Sequence, residues 1–367
     1  MKVLHLITTL DRGGAENQLL ILVEEQIKNG LNIEIVPLKG NNELGIEFEA
    51  VGATVDLSVI NRNPIHQILI LRNKLKRSKN QFLIHSHLPR SEMIAIFLTN
   101  PMKIFTRHNS EDFYPRKHMH FVSVALSRIS CMRSKRGIAI SYSVKKFENE
   151  RHQISSKFPL NVVYYGYKRQ YPAKQNSRLM LRNLIGVDKD EILIGSVARL
   201  VKQKNLSVLI NAFKVFHERN KNSKLVIIGE GPLKEELKKL TLKLNISDKV
   251  IFFGRSNKVL ELMSSFDLFV LTSKYEGFGL VILEAMDSGC KVLGSNSSAI
   301  PEVIGGDERQ LFTPNDVEDL SRKMQELIFR TKQESIDSYN EGRLKFFGTE
   351  KLFKNTQNLY EEIGFKK

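Results

Sequence analysis

The chain has 367 residues, of which 41% are hydrophobic and 26% are charged, and its formal net charge is +16 at neutral pH. This length exceeds one ordinary domain, so two domains are expected. The composition is that of a globular protein, and no uninterrupted apolar stretch reaches the roughly 18 residues of a transmembrane helix. Cys131 and Cys290 lie far apart in different contexts, which favours free thiols in a reducing compartment.

The first half of the chain alternates short apolar strands with helical patterns. A strand at 3–7 opens it, without the cleavage site of a signal peptide, and a helix follows at 16–28. Further strands are predicted at 33–37, 81–85, 103–106, 138–140 and 162–164. Between the strands at 103–106 and 138–140, apolar residues recur at helical spacing and predict a basic amphipathic helix. They are Val122, Ala125, Leu126, Ile129 and Met132.

The second half repeats this alternation. Residues 165–190 are polar, contain Pro172 and lack periodicity, which predicts a linker. Strands are predicted at 192–197, 225–228, 250–253, 268–271 and 291–293, and helices at 205–217, 232–244, 316–331 and 350–363. Two such blocks predict an α/β protein with two doubly wound parallel-sheet, Rossmann-like domains that face a cleft. We place the domains at 1–168 and 169–349, with the last helix, 350–367, crossing back to the first.

The segment 276–284 is the most informative part of the sequence. Two glutamates, Glu276 and Glu284, flank two glycines and an apolar run that predicts a helix over 279–288. Glycines before a helix let the backbone approach a ligand, and the helix directs its positive end towards it. The backbones of the two glutamates would be roughly 10 Å apart. This separation suits contacts with opposite ends of one elongated phosphate-containing ligand. A glycine-rich turn before an amphipathic helix with one exposed glutamate is the alternative.

Other strand ends carry residues that suit an anionic ligand. Arg199 and Lys204 follow the strand at 192–197 and can both reach a diphosphate. Glycines also follow strands, at Gly13-Gly14 and at Gly229-Glu230-Gly231, where backbone amides could hold an anion. A tight turn explains the first pair equally well.

Histidines offer a weaker signal. His108 follows the strand at 103–106 and could exchange a proton or hydrogen bond with a sugar hydroxyl, although a lone histidine is more often structural. His85 and His87 lack a nearby cysteine or carboxylate and make a weak metal site. The pair Asp188 and Asp190 lies in the predicted linker, and we reject it as a metal site.

Positive charge is concentrated in residues 101–170, which carry 14 lysines and arginines against four acids, a net charge of +10. Such a block indicates an anionic partner: a nucleic acid, a membrane surface or a phosphorylated substrate. A solvated face of a lysine-rich chain explains many of the single charges.

Together these motifs resemble the retaining glycosyltransferases of the GT-B fold, family 4, a group that includes transferases of bacterial surface polysaccharides. The resemblance covers nearly the whole chain. Its N-terminal marks are 13–16, 85–89 and 106–109, and its more specific C-terminal marks are 195–200 with Lys204 and Asn205, 229–232, 253–254, 276–284 and 300–304. One departure is Ser298-Ala299, where the family often has two glycines.

The resemblance implies a role for each matching residue. Arg199 and Lys204 would neutralise the donor diphosphate, Glu276 would contact the donor sugar, and Glu284 would take the ribose hydroxyls. The other implied contacts are the backbone of Gly277, Phe278, Gly279 and Leu280, the turn glycines Gly229 and Gly231, the base-lining residues Phe253 and Arg255, and, from the other domain, Gly14 on phosphate and His108 on the sugar.

Cations aimed at the departing diphosphate are the main catalytic resource. Because no carboxylate is obviously placed as a nucleophile on the sugar, the expected reaction is a retaining, front-side transfer in which the leaving phosphate helps to deprotonate the acceptor. The group transferred is expected to be hexosyl or N-acetylhexosaminyl. No metal and no cofactor are expected. The donor is a nucleotide-sugar, with UDP favoured over GDP, and the acceptor is lipid-linked or a saccharide in cell-surface polysaccharide synthesis. We expect a cytoplasmic protein, peripherally bound to the anionic inner face of the cell membrane, with no nucleic-acid partner.

Two other functions stay open on the sequence. A nucleotide-sugar 2-epimerase shares the two-domain architecture but needs acid and base residues on both faces of the sugar and uses no acceptor. A basic nucleic-acid-binding protein would explain the charge, but aromatic residues do not interleave with the basic block.

Overall fold

The structure is a computed structural model that describes residues 2–78, 81–100, 102–110, 119–151, 154–155, 157–170, 182–330 and 332–366. The chain divides into two compact units. The N-terminal unit comprises Met1–Lys168 and Phe347–Lys367, and the C-terminal unit comprises Arg169–Phe346. The middle of the predicted linker, including Pro172, and four charged residues of the basic block lie outside the described residues. These four are Glu111, Asp112, Arg116 and Lys117.

The N-terminal unit contains a seven-stranded parallel sheet in the order β3-β2-β1-β4-β5-β6-β7. Its strands are β1 Lys2–Ile7, β2 Asn32–Pro37, β3 Thr54–Val55, β4 Phe82–His87, β5 Lys103–Arg107, β6 Arg136–Ala139 and β7 Leu160–Val162. Its helices before the C-terminal unit are α1 Gly14–Lys28, α2 Gly45–Ala50, α3 Pro64–Arg77, α4 Pro89–Ile96, α5 His120–Arg133 and α6 Tyr142–Arg151.

Alternation along the strands separates two cores in this unit. Val3 points into the cluster under α1, whereas its neighbour Leu4 points into the cluster under α3 and α4. The helix α3 was not predicted. Its start is nevertheless well defined, because Pro64 occupies the first turn and the Asn63 side chain accepts a hydrogen bond from the His66 amide at 2.9 Å.

The C-terminal unit contains a six-stranded parallel sheet in the order β10-β9-β8-β11-β12-β13. Its strands are β8 Ile192–Val197, β9 Ser223–Ile228, β10 Val250–Gly254, β11 Leu268–Leu271, β12 Lys291–Ser295 and β13 Leu311–Phe312. Its helices are α7 Leu206–Arg219, α8 Lys234–Lys243, α9 Val259–Met263, α10 Leu280–Asp287, α11 Ile300–Ile304, α12 Val317–Arg330 and α13 Gln333–Phe346. The last helix of the chain, α14 Thr349–Glu362, belongs to the N-terminal unit.

The predicted linker extends too far, because its end is built into the C-terminal unit. Arg182 is 2% exposed, and its guanidinium pairs with Asp267 at 2.6 Å. It also donates to the carbonyls of Asp188, Lys189, Glu191 and Ser265. A buried arginine with this many acceptors fixes the approach to β8, and a polar, aperiodic sequence gives no sign of it.

The helix α5 exists as predicted, but it packs through a different side. Its buried residues are Ser123, Ser127 and Ser130, and Ser127 accepts a hydrogen bond from the buried Arg107 at 3.1 Å. Part of the apolar row is instead exposed, most of all Met132 at 84%. None of the described helices is long and apolar enough to cross a bilayer.

Candidate functional site

The predicted donor residues of the C-terminal unit line one edge of its sheet. Phe253 lies at the end of β10, Gly229 follows β9, Arg199 follows β8 and Glu276 follows β11. These strands are consecutive in the sheet, so the residues lie at neighbouring carboxyl ends. Arg199 and Glu276 flank the point where the strand order reverses, which is where ligands bind in parallel α/β sheets.

Lys204 and Glu276 form an ion pair at this edge. Lys204 ends the short 3₁₀ turn Lys202–Lys204, and its Nζ lies 2.5 Å from Glu276 Oε1. Both side chains are largely shielded from solvent. The pair therefore holds one positive and one negative charge in fixed positions, which a diphosphate and a sugar hydroxyl could each engage.

Three hydrogen bonds attach the Glu276 loop to the turn that carries Lys204. Gln203 donates through Nε2 to the Tyr275 carbonyl and accepts from the Lys274 amide, both at 2.8 Å. The Thr272 hydroxyl donates to the Lys204 carbonyl at 2.8 Å. These bonds hold the two loops as one rigid piece, as a preorganised site requires.

Ser298 supports the same loop from β12. It adopts a left-handed backbone conformation with φ of 56°, and its hydroxyl donates to the Glu276 carbonyl at 2.8 Å. Glycine would fit this φ without strain but would lack the hydroxyl. The departure from the family's glycine pair therefore adds a hydrogen bond at the motif glutamate.

The glycine turn before α10 has the geometry that the sequence predicts. Gly279 has φ of 98° and is the N-cap of α10, a conformation that favours glycine. Phe278 is 2% exposed and anchors the turn in the core, while Gly277 and Leu280 are partly accessible. The amides of Leu280 and Val281 lie beyond the reach of intrahelical acceptors and are available to an anion, whereas the Ile282 amide donates to the Gly279 carbonyl at 2.9 Å.

Glu284 lies one turn into α10 and is half-buried. Burial raises the pKa of its carboxyl above the usual value. Within the described part of the chain its carboxylate makes no hydrogen bond or ion pair. A shielded carboxylate of this kind suits neutral hydroxyl donors, which would satisfy it without adding charge.

Gly229 and Gly231 allow two loops to pack closely against each other. A Cβ on Gly229 would lie 2.0 Å from the Ala198 carbonyl oxygen, and one on Gly231 would lie 2.5 Å from that of Leu200. Leu200 in turn donates its amide to the Glu230 carbonyl at 3.0 Å. These glycines therefore fix the backbone on either side of Arg199, a reason for glycine that is independent of ligand contact.

The remaining donor residues of this unit are accessible. Arg199 and Arg255 are exposed, and Phe253 is half-buried. Among the described residues, the Arg199 guanidinium has no hydrogen-bond or ion-pair partner. The Gly254 carbonyl accepts from the Gly229 amide at 2.8 Å, which ties the Phe253 strand end to the next loop.

Gly14 is the first residue of α1 in the N-terminal unit, and a Cβ there would meet nothing within 4 Å. The spatial constraint falls on Gly13, whose added Cβ would lie 2.4 Å from Glu16 Oε2. Glu16 is held in place by the Thr9 hydroxyl, which donates to it at 2.8 Å. Gly13 therefore accommodates a buried carboxylate at the start of the helix.

His108 belongs to a buried hydrogen-bonded chain. Its Nδ1 lies 2.6 Å from the Tyr165 hydroxyl, and its Nε2 lies 3.1 Å from His87 Nδ1. His87 continues to His5 at 2.9 Å. Burial lowers the pKa of His108 to about 3 and that of His5 to about 4, so both rings are neutral at pH 7.

The same chain of contacts reaches α14. His5 Nε2 bonds to Gln26 at 2.8 Å, Gln26 donates to the Tyr360 hydroxyl at 3.2 Å, and that hydroxyl lies 2.6 Å from His85 Nδ1. His85 Nε2 lies 2.7 Å from the Thr106 hydroxyl. Sequence reasoning identified His85, His87 and His108 but missed Tyr165 and Tyr360, which carry no local motif.

His5, His85 and His87 are close enough to suggest a metal site, with ligand atoms within 4.8 Å of one another. Each of their six ring nitrogens, however, already has a hydrogen-bond partner. A metal would have to displace several of these buried bonds. The arrangement is that of a satisfied polar network.

Comparisons with known proteins show which proteins this chain is similar to. Residues 180–341 match the family model described as "Glycosyl transferases group 1". The chain is 24% identical over 313 residues to the Bacillus subtilis protein named "Putative glycosyltransferase EpsF", which covers 81% of this chain and 79% of that protein. It is 37% identical over 131 residues, 35% of each chain, to a Campylobacter jejuni protein, the N-acetylgalactosamine-N,N'-diacetylbacillosaminyl-diphospho-undecaprenol 4-alpha-N-acetylgalactosaminyltransferase.

Among solved structures, the Anabaena protein HepE in complex with UDP has a TM-score of 0.83 at 18% identity, covering 99% of this chain and 100% of that one. This similarity shows the GT-B fold for the two parallel-sheet units. The family model and the relatives support the interpretation of this chain as a group 1 glycosyltransferase.

Proposed function

We propose that the protein is a retaining family 4 glycosyltransferase that moves a hexosyl or N-acetylhexosaminyl group from a UDP-sugar to a lipid-linked or saccharide acceptor in cell-surface polysaccharide synthesis. The observation that carries the proposal is the Lys204–Glu276 ion pair beside the glycine turn of α10. UDP in the Anabaena neighbour and the diphospho-undecaprenol in the name of the Campylobacter relative support the choice of donor and acceptor.

In this proposal the donor lies along the carboxyl edge of the C-terminal sheet. Arg199, Lys204 and the first amides of α10 bind the diphosphate, Glu276 binds the sugar hydroxyls, and Glu284 accepts from the ribose hydroxyls. The base stacks near Phe253. Fixed positive charge at the diphosphate stabilises the negative charge that grows on it as the glycosidic bond breaks.

The reaction proceeds on one face of the sugar and needs no metal ion. The bond between the anomeric carbon and the phosphate oxygen breaks, and the acceptor oxygen bonds to the same face. The acceptor's hydroxyl proton passes to the departing phosphate oxygen, and UDP leaves. Lys204 and Arg199 supply charge stabilisation of the kind that a bound metal ion can provide.

His108 acts in this scheme as a neutral positioning group. Both ring nitrogens are already hydrogen-bonded, and its lowered pKa excludes a proton-donating imidazolium at pH 7. The contacts of His108 with the donor sugar and of Gly14 with the phosphate belong to this proposal on the strength of the family resemblance alone.

We also infer peripheral binding to the anionic cytoplasmic face of the membrane. Residues 57–91 and 113–147 contain no aspartate or glutamate. These stretches include α3 and α5, which expose Ile65 and Met132 beside basic residues. Apolar side chains among cations are suited to an anionic lipid surface.

A direct test combines binding and product analysis. The full chain is screened for thermal stabilisation by UDP-sugars and GDP-sugars, since a ligand at 100 times its dissociation constant adds about 2.7 kcal/mol. Turnover with the stabilising donor is then followed by NMR of the anomeric proton. We expect an α-linked product from an α-linked donor, without added metal and in the presence of EDTA.

The outcomes separate the competing functions. Conversion of the nucleotide-sugar without an acceptor would indicate the epimerase. Salt-sensitive binding of oligonucleotide with no response to any nucleotide-sugar would indicate a nucleic-acid-binding protein. A product with inverted anomeric configuration would refute the retaining mechanism but not the assignment as a glycosyltransferase.

A further inference from the structure

The main chain of the loop that carries Glu276 is held by side chains. Its four carbonyls at residues 273–276 each accept a hydrogen bond from a side chain. Three of the donors are hydroxyls of residues 295–298, the serine segment, which follows β12. They join Ser295 to the Ser273 carbonyl at 2.6 Å, Ser297 to that of Lys274 at 2.5 Å and Ser298 to that of Glu276 at 2.8 Å. The fourth donor, Gln203 Nε2, reaches the Tyr275 carbonyl at 2.8 Å.

These donors come from both sides of the loop. Gln203 follows β8 and the serine segment follows β12, whereas the Glu276 loop follows β11, which lies between those two strands in the sheet. The loop cannot move towards either neighbour without breaking hydrogen bonds to the other. Its position is therefore set by the two adjacent strand ends, as a preorganised site requires.

The serine segment is itself anchored by its backbone. The Asn296 amide donates to the Phe312 carbonyl of β13 at 2.8 Å. The Ser297 amide donates to the Ser295 carbonyl at 2.8 Å, and the amide of Ile300, the first residue of α11, donates to the Ser297 carbonyl at 3.2 Å. The three hydroxyls thus project from a segment that is tied to the next strand and to the next helix.

Ser298 adopts a backbone conformation that favours glycine. Its φ of 56° lies in the left-handed region, which few residues other than glycine occupy. Glycine is also what the resembled family often has here, and it would avoid the strain. Ser298 instead supplies the hydroxyl that reaches the Glu276 carbonyl. Retained backbone strain is concentrated at functional sites, so this hydroxyl is the reason we infer for the serine.

We propose that the serine segment and Gln203 position the Glu276 carboxylate against the donor sugar without touching the sugar themselves. Lys204 fixes the side chain, with Nζ 2.5 Å from Glu276 Oε1, and the serine segment fixes the backbone from which that side chain projects. A displacement of about 1 Å can cost roughly a hundredfold in rate. The inference rests on the proposed function, because it takes the sugar to be the ligand of Glu276.

The test compares kcat with the affinity for UDP in variants of the full chain. Ser297→Ala removes one hydroxyl, and Ser298→Gly removes another while relieving the backbone strain, so neither change should prevent folding. We expect the double variant to lower kcat by about tenfold or more, because the carboxylate is misplaced. The dissociation constant of UDP, measured by calorimetry, should stay within about twofold, because the nucleotide has no contact with Glu276. Ser297→Thr keeps the hydroxyl and should keep kcat within about twofold.

Amide hydrogen exchange of residues 272–276 tests the same inference without a ligand. The Lys274 amide donates to the Gln203 carbonyl at 2.8 Å, so its exchange reports how often the loop opens. We expect this exchange to be about tenfold faster in the Ser297→Ala, Ser298→Gly double variant.

Ser264→Ala is the matched control. It also removes a hydroxyl that donates to a carbonyl, that of Glu261 at 2.6 Å, but Ser264 precedes β11 whereas the Glu276 loop follows it. It should change neither kcat nor the exchange of the Lys274 amide.

Unchanged kcat in the double variant, or a loss of UDP affinity as large as the loss of kcat, would overturn the proposal. Turnover of a nucleotide-sugar by the wild type tests the proposed function separately. If the wild type shows none, the proposed function fails, and the exchange measurement alone decides whether the serine segment holds the loop: unchanged exchange would overturn that as well.

Discussion

Lys204 and Glu276 neutralise each other across two loops, with 2.5 Å between Nζ and Oε1, whereas Arg199, five residues before Lys204, has no partner among the described residues. The two cations thus begin donor binding in different states. When the donor binds, Lys204 must exchange the Glu276 carboxylate for the diphosphate or share itself between the two, whereas Arg199 gives up only its contacts with water. Their replacement should consequently have different effects on the protein without donor.

We expect Arg199→Ala and Lys204→Ala each to lower turnover by roughly a hundredfold or more, the scale of one lost contact to transition-state charge. Arg199→Ala should leave stability within about 0.5 kcal/mol, because the side chain is exposed. Lys204→Ala should destabilise the protein more, because it leaves Glu276 shielded and unpaired. Steady-state kinetics and thermal unfolding measure the two effects.

Lys202→Ala is the matched control, since Lys202 lies in the same turn and is exposed. It should keep nearly full turnover. Wild-type turnover in the Arg199→Ala, Lys204→Ala double variant would refute the diphosphate assignment.

The two motif glutamates should separate kinetically. Glu276→Gln should mainly lower kcat, because this residue orients the reacting sugar. Glu284→Gln should mainly raise the dissociation constant of UDP, because a ribose contact is the same in ground and transition states. Burial raises the pKa of Glu284, so its carboxylate is protonated as the pH falls through that raised value.

UDP affinity should therefore decrease on acidification in the wild type and vary less with pH in Glu284→Gln. Titrations of UDP from pH 7.5 to 5 measure this. A loss of UDP affinity in Glu276→Gln and not in Glu284→Gln would show that the roles are reversed.

Gly231→Ala should destabilise the C-terminal unit by about 1–3 kcal/mol, the usual cost of overpacking. The added Cβ would lie 2.5 Å from the Leu200 oxygen and 2.7 Å from the Leu200 nitrogen, and backbone atoms cannot rotate away. Because Leu200 follows Arg199, turnover should also fall. Gly342→Ala is the control: its Cβ meets nothing within 4 Å in α13, so the change should stabilise by roughly 0.5–1 kcal/mol. Unchanged stability in Gly231→Ala would contradict the packing argument.

Much of the fold could be predicted because strand and helix periods are local. The strands at 192–197 and 268–271 match β8 and β11 at both ends, and the turn before α10 has the left-handed glycine that the motif requires. Seven of the described helices were missed: α2, α3, α4, α6, α9, α11 and α13. The charge of Lys204 could be anticipated from its spacing, but its pairing with Glu276 could not, because 72 residues separate the two.

The errors have a common physical cause. An apolar row at helical spacing predicts which side of a helix is buried only if the surrounding layer is apolar. In α5 the surrounding layer contains the buried Arg107, which donates a hydrogen bond to Ser127, so the serine side faces inward and Ile129 is exposed. Arg182 was assigned to a linker for a similar reason: two of its acceptors, Ser265 and Asp267, lie 83 and 85 residues further along the chain.

The histidine network should make the N-terminal unit sensitive to acid. Burial lowers the pKa of His5 to about 4 and that of His108 to about 3, from 6.5, and lowers those of His85 and His87 well below 6.5. The unfolded chain therefore takes up more protons than the folded one below about pH 6.5. The contribution of the histidines to the free energy of unfolding is fully present above that pH. It falls towards pH 4, by up to about 1.4 kcal/mol per pH unit for each histidine.

Amide hydrogen exchange can measure this loss locally, after correction for intrinsic rates. Protection in β1 and β4, which carry His5, His85 and His87, should fall between pH 7 and pH 5. Protection in β11 and β12 of the other unit, which contain no histidine, is the reference. Equal changes in both sheets would show that the network is not responsible.

The outward side of α5 should bind anionic membranes. Phe121 is 72% exposed and Met132 is 84% exposed, and Arg128, Arg133 and Lys135 are exposed around them. Arg136 is half-buried and pairs with Glu362 at 2.6 Å, so it is left out of the variant below. Each cation near an anionic surface is worth about 1 kcal/mol. Charge reversal at Arg128, Arg133 and Lys135 should therefore weaken cosedimentation with anionic vesicles by at least about a hundredfold.

Matched variants separate charge from apolar insertion. Reversal of three exposed lysines of the C-terminal unit, Lys189, Lys221 and Lys239, changes the net charge equally and should have a much smaller effect. Phe121→Ser with Met132→Ser should weaken binding without changing its dependence on salt, because apolar burial is not screened as exposed charges are.

The α5 charge reversal should slow transfer to a lipid acceptor more than hydrolysis of the donor. Equal binding to neutral and anionic vesicles, or none at low salt, would refute the membrane inference and leave the donor site untouched, because Lys204 and Glu276 belong to the other unit.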